Sequence, residues 1–155
     1  MFNFLGNSAS LIGLVFSILA FVFAKSASAA AREARDAVMR QSLSEDMSSA
    51  ARIAGEVVMY LRTERSEMAL LRIGDLMRQA SYLVARWEAR LPKKSKDNLA
   101  RAREQLRPME AVLTKRGAGL DPQEKAQLSL DAQRVSEIFN EEYGVAVKAA
   151  ETRDD

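Results

Sequence analysis

The chain has 155 residues, with 23 lysines and arginines against 21 acidic residues, and no cysteine or histidine. That length allows one modest domain, and the missing residue types exclude disulfides, Cys/His zinc sites, thiol nucleophiles and a Ser-His-Asp triad. Only three prolines and seven glycines interrupt long stretches rich in Ala, Leu, Arg, Glu and Met, the composition of helices.

The first predicted element is a membrane span. No charged side chain occurs from Met1 to Ala24, and Leu11 to Phe23 reads LIGLVFSILAFVF. Phe4 to Ala24 is 21 residues, which at about 1.5 Å per residue covers roughly 31 Å of a hydrocarbon core about 30 Å thick. Lys25, Arg32, Arg35 and Arg40 follow the run and no basic residue precedes it. The positive-inside rule therefore predicts a single pass through a cell inner membrane, with the amino terminus outside and the body cytoplasmic. A cleaved signal peptide is the competing reading, with Ser26-Ala27-Ser28-Ala29 as the small-residue site, but the basic n-region is missing.

Within the span, Gly13, Ser17, Ala20 and Ala24 recur at steps of four, three and four. The same rule reaches back to Ser10 and Gly6 and forward to Ala27, Ala31 and Ala34. A mean step of 3.5 is the seam of a left-handed helix–helix contact, and small residues are what let membrane helices approach closely. Ile12, Phe16, Leu19 and Phe23 form a neighbouring bulky stripe suited to lipid. The seam predicts self-association. Three or more copies around an axis would turn Ser10 and Ser17 toward a lumen, while the simpler arrangement is one helix packed on a single neighbour.

Ser26 to Gln41 is alanine-rich, with Arg32, Asp36 and Arg40 at four-residue intervals, so the helix is expected to continue as a stalk. Ser44, followed by Glu45 and Asp46, is an expected N-cap for a restart. Met47, Ala51, Ala54, Val57, Val58 and Leu61 then give an amphipathic helix. After the polar Thr63–Glu67, the apolar face resumes as Met68, Leu71, Leu76, Ala80, Leu83, Val84, Trp87 and Leu91, up to Pro92. A third segment carries Leu99, Ala102, Leu106, Met109 and Leu113, with Pro108 expected to kink it or cap a short piece. Gly117-Ala118-Gly119 is a stop. Asp121-Pro122-Gln123-Glu124 is a start, with an N-cap Asp, Pro at the first helical position and Glu three after the cap. The last segment presents Leu128, Ala132, Val135, Ile138 and Phe139 and is expected to fade near Gly144 or beyond. Nothing alternates with period two. The fold class is all-α: a transmembrane helix (1–25), a helical stalk (26–43), a small cytoplasmic helical bundle (44–150) of three or four helices, and a tail (151–155).

No catalytic constellation is visible, and neither a metal nor a cofactor is expected. The adjacent pairs Glu45-Asp46, Glu141-Glu142 and Asp154-Asp155 do not share a helix face and read as solvated charge. Gly117-Ala118-Gly119 lacks the strand before it and the Lys-Ser/Thr after it that a phosphate loop needs. Met47, Met59, Met68, Met77 and Met109 read as core filler, and Trp87 as core.

What remains is the charge distribution. Residues 1–60 hold five basic and five acidic side chains, 61–116 hold fourteen and seven, and 117–155 hold four and nine. The basic middle is densest in Arg86, Arg90, Lys93, Lys94, Lys96, Arg101, Arg103 and Arg107. Three readings compete: a solvated face paired with Glu88, Glu104 and Glu110, attraction to an anionic leaflet, and capture of a phosphate-rich ligand. Aromatics are not interleaved with these bases in the sequence, so stacking platforms are not expected.

The layout of an uncharged amino terminus, one membrane helix, an alanine-rich stalk and a small helical body resembles the single-pass effectors of bacterial anti-phage systems, in particular the Hailong-type effector. The resemblance covers the whole chain by architecture and carries no diagnostic motif, so no family residue is transferred. It implies a homo-oligomeric membrane channel or membrane-perturbing effector, a bound oligonucleotide or nucleotide, and a partner enzyme that makes that ligand. A non-conducting, membrane-anchored adaptor that recruits a partner protein is the alternative.

Overall fold

The computed structural model describes residues 3–117 and 119–151, with side chains from Phe16 onward. The described residues form four helices, α1 (Asn3–Arg62), α2 (Ser66–Arg86), α3 (Lys93–Arg116) and α4 (Pro122–Glu151), and no strand. The all-α expectation holds. The chain divides into two units, Met1–Met39 and Arg40–Asp155.

In the first unit Phe16, Ile18, Leu19, Phe21, Val22 and Phe23 are all exposed on α1. Among the described residues no helix is long and apolar enough to cross a membrane. Of the expected span, the side chains of Phe4–Val15 lie outside the described residues, and Phe16–Ala24 is nine residues long. Gly6, Ser10 and Gly13 of the expected seam lie outside them too. Ser17, Ala20 and Ala24 are exposed, and Ser17 has a polar partner.

The second unit is a helical bundle built on steps of three and four. Its buried positions are Met47, Ala50, Ala54 and Val57 on α1, and Ala69, Ile73, Leu76, Ala80 and Leu83 on α2. On α3 they are Leu99, Ala102, Leu106, Met109 and Leu113, and on α4 Leu128, Ala132, Val135, Phe139, Glu142 and Ala146. Each set makes one stripe about 3.5 residues per turn, the knobs-into-holes pattern of antiparallel bundles. Alanines interleave with Leu, Ile, Met and Phe in these stripes, so large side chains of one helix have room beside small ones of the next.

Antiparallel neighbours follow from the cross-helix contacts. Arg72 Nε meets Glu56 Oε2 at 2.8 Å near one end of the α1–α2 pair, and Arg86 Nη1 meets Asp46 Oδ2 at 3.1 Å near the other. Asn98 donates to Glu142 at 2.6 Å, and Arg116 meets Glu124 at 3.5 Å at the opposite end of the α3–α4 pair.

Several expectations are corrected. α1 does not restart at Ser44, which lies half-buried inside a continuous helix. No proline or glycine lies between residues 14 and 54, so nothing there breaks the ladder, and the core stripe starting at Met47 reinforces it. Thr63–Arg65 is a true break: Glu64 has a φ of 58°, and the Thr63 hydroxyl donates to Met59 O at 2.9 Å. Met68 and Leu71 are exposed rather than core, because Ala69 and Ile73 occupy the buried stripe and helical rotation turns their neighbours away. Val58, Leu61, Val84 and Ile138 are half-buried at its margins. α3 runs unbroken through Pro108, so that proline caps no short piece, whereas α4 continues past Gly144 to Glu151, within the expected range. Glu142 is not a solvated charge but a core residue, 3% exposed.

The start of α4 forms as its sequence predicts. Glu124 N donates to Asp121 Oδ1 at 2.8 Å, Asp121 N donates to Glu124 Oε2 at 3.1 Å, and Pro122 is the first helical residue. Gly117 ends α3 with a φ of 56°, a conformation that disfavours any side chain. Asp121→Ala is expected to lower unfolding free energy by about 1 kcal/mol, read by urea denaturation, because one helix-end donor loses its acceptor. Asp121→Asn should be near neutral in the same measurement.

Candidate functional site

The basic residues gather where α2 hands over to α3. Trp87 organises that turn: its carbonyl accepts from Arg90 N and Leu91 N, each at 2.8 Å, and its ring is buried. Its indole Nε1 donates to Asp46 Oδ2 at 2.9 Å, so the turn is tied to α1. α3 then begins at Lys93 behind Pro92, whose fixed φ suits a helix entry.

The eight candidate residues do not act alike. Arg86 is a structural clamp: it pairs with Asp46, donates to Ser42 Oγ at 3.3 Å and to the Tyr82 hydroxyl, and lies over the Tyr82 and Trp87 rings at 5.5 and 4.9 Å. One of these Arg–aromatic contacts is made by helical spacing, with Tyr82 one turn before Arg86, and the other by the adjacent Trp87. Arg90, exposed in the turn, also has a polar partner. Lys94 reaches Glu141 at 3.5 Å, an exposed pair of little energetic weight.

Lys93, Lys96, Arg101, Arg103 and Arg107 have no ion pair among the described residues, and the expected partners Glu88, Glu104 and Glu110 do not pair with them. Helical rotation separates them further. Lys96, Arg103 and Arg107 fall within about 40° of one another, and Lys93 lies beside them, whereas Lys94 and Arg101 fall toward the α4 side. Arg103 is half-buried, and its Nε is fully buried with no acceptor. From Lys93 to Arg107 the row extends about 21 Å. An unpaired row of this length presents donors to several anionic groups at once, with arginine supplying the planar fork that suits phosphate.

At the opposite end of the bundle Lys125 Nζ meets Glu64 Oε1 at 2.8 Å, and this ammonium holds the Glu64 carboxyl below its usual range. The tie is present above the ordinary carboxylate pKa and is lost as pH falls through the lowered one. Among the described residues no cluster of His, Cys, Asp or Glu could hold a metal ion.

The residues that sequence reasoning missed are Asp46, Tyr82, Asn98 and Glu142. Their partners lie 40 or more positions away except for the Tyr82–Arg86 step, so only that step had a local signal. No family model matches the chain, and no curated protein and no solved structure matches it.

Proposed function

We propose that this chain is a membrane-anchored effector that assembles with itself and whose helical body takes an anionic, oligonucleotide-like ligand along α3. The observation that carries the ligand reading is the unpaired row Lys93, Lys96, Arg103 and Arg107, with its orphaned Arg103 Nε. The anchoring reading rests on the uncharged run from Phe4 to Ala24, and the assembly reading on Gly13, Ser17, Ala20 and Ala24 within it. Together they suit a homo-oligomeric channel or membrane-perturbing protein, in which binding at the body biases the membrane segment.

Two measurements test it. A short single-stranded oligonucleotide titrated at several salt concentrations should bind wild type. Lys96→Glu, Arg103→Glu and Arg107→Glu together should reduce the salt slope by about two, and weaken binding alike for every sequence. Unchanged binding in that variant refutes the ligand face. Purified protein in liposomes should pass ions when the oligonucleotide is present, and Gly13→Leu with Ser17→Leu should abolish both the flux and the assembly. Rings that pass no current under any ligand condition refute the channel and leave an anchored adaptor.

A further inference from the structure

The α3–α4 pair holds a groove on the flank away from the Lys96–Arg107 row. Its volume is about 480 Å³, within the range of small-molecule sites, roughly 300–1,000 Å³. Pro108, Met109 and Val112 of α3 and Leu128 of α4 make its apolar surface. Its polar lining is acidic or amide: Asp121, Glu124 and Asp131, with Gln123 and Gln127. No lysine or arginine is among these residues.

The carboxylates are held in place rather than left loose. Asp121 and Glu124 are fixed by the reciprocal capping hydrogen bonds, and both oxygens of Asp131 accept from Gln127 Nε2 at 3.0 Å. Their neutralisation from outside the groove is partial: Arg116 is 3.5 Å from Glu124 and Arg134 is 3.4 Å from Asp131, both at exposed side chains. The groove therefore offers apolar contact beside fixed, only partly neutralised negative charge.

We propose that this groove binds a small organic cation, an amine or guanidine carried on an alkyl or aromatic body. The apolar part lies against Met109, Val112 and Leu128, where the flexible methionine adapts to its shape. The cationic head is drawn to Asp121 and Asp131, a charge-assisted contact that an uncharged isostere does not make. Anions are rejected by the same carboxylates. The α4 segment Gln123–Asp131 runs about 12 Å, which fits one such molecule and is too short for a three-turn partner helix. This site is independent of the anion-binding face on α3.

The test uses full-length protein in nanodiscs with 13C-methyl methionine, the Met109 signal being assigned by its loss in Met109→Leu. Phenethylammonium chloride should shift that signal saturably. Phenethyl alcohol, of nearly the same shape without the charge, should bind at least about tenfold more weakly. Asp121→Asn with Asp131→Asn removes both charges while keeping a good N-cap, and should weaken the ammonium about tenfold. No saturable shift, equal binding of the alcohol, or unchanged affinity in the double variant overturns the proposal. The comparison of the two probes on wild type stands even if the double variant is unstable.

Discussion

Phe139→Ala is expected to cost about 3–5 kcal/mol of unfolding free energy, the largest loss for any single truncation in the body. Phe139 heads the fully buried side chains by volume and sits on the α4 stripe between Val135 and Glu142. Alanines such as Ala102 and Ala132 occupy several of the buried stripe positions and have no side-chain length with which to close a hole. The cavity therefore persists and adds to the lost burial. Denaturant unfolding followed by circular dichroism reads the effect, and an unchanged denaturant slope would show that the same two-state transition is being compared. A loss below about 1 kcal/mol would mean that Phe139 is not packed as described.

The second large effect concerns the only buried carboxylate among the described residues. Asn98→Leu is expected to destabilise by about 3–5 kcal/mol, because it leaves Glu142 buried without the amide that donates to it at 2.6 Å. Asn98→Leu combined with Glu142→Leu should recover most of that loss, or exceed wild type, since two apolar residues then fill two core positions. The double-mutant cycle reads the coupling directly, and additive single effects would show that the two groups do not interact. Such a pair costs desolvation yet permits only one alignment of α3 on α4. A one-step slip would bury Glu141 or expose Glu142, so the pair selects a register as polar core residues do in coiled coils. The double variant is accordingly expected to keep its stability while losing sharpness in its methyl NMR spectrum.

The clamp at the other side of the body works by the same logic at the surface. Asp46 Oδ2 accepts from both Trp87 Nε1 and Arg86 Nη1, so one carboxylate oxygen fixes α1 against the end of α2. Arg86 is thereby committed to structure. The proposed ligand face is therefore the unpaired row on α3 rather than all eight candidate residues, which is why the proposed charge reversals leave Arg86 and Lys94 untouched.

The helical class, the start of α4, its preceding stop and the core faces of α3 and α4 were legible in the sequence. These features are local: an Asp-Pro-x-Glu cap, a Gly-x-Gly stop and a repeat of three and four each involve residues within a turn or two of one another. Composition likewise excluded cysteine, histidine and triad chemistry before any fold was known. What only the tertiary structure decided depends on residues far apart in sequence. Continuity of α1 through Ser44 follows from a core stripe that outweighs a weak capping signal. The choice of Ala69 and Ile73 over Met68 and Leu71 depends on which face meets the other helices, and hydrophobicity alone favoured the wrong pair. The division of the basic residues into clamp and open row was invisible in the same way, because a charge's role is set by whether a carboxylate reaches it across the bundle, and Asp46 lies 40 positions from Arg86.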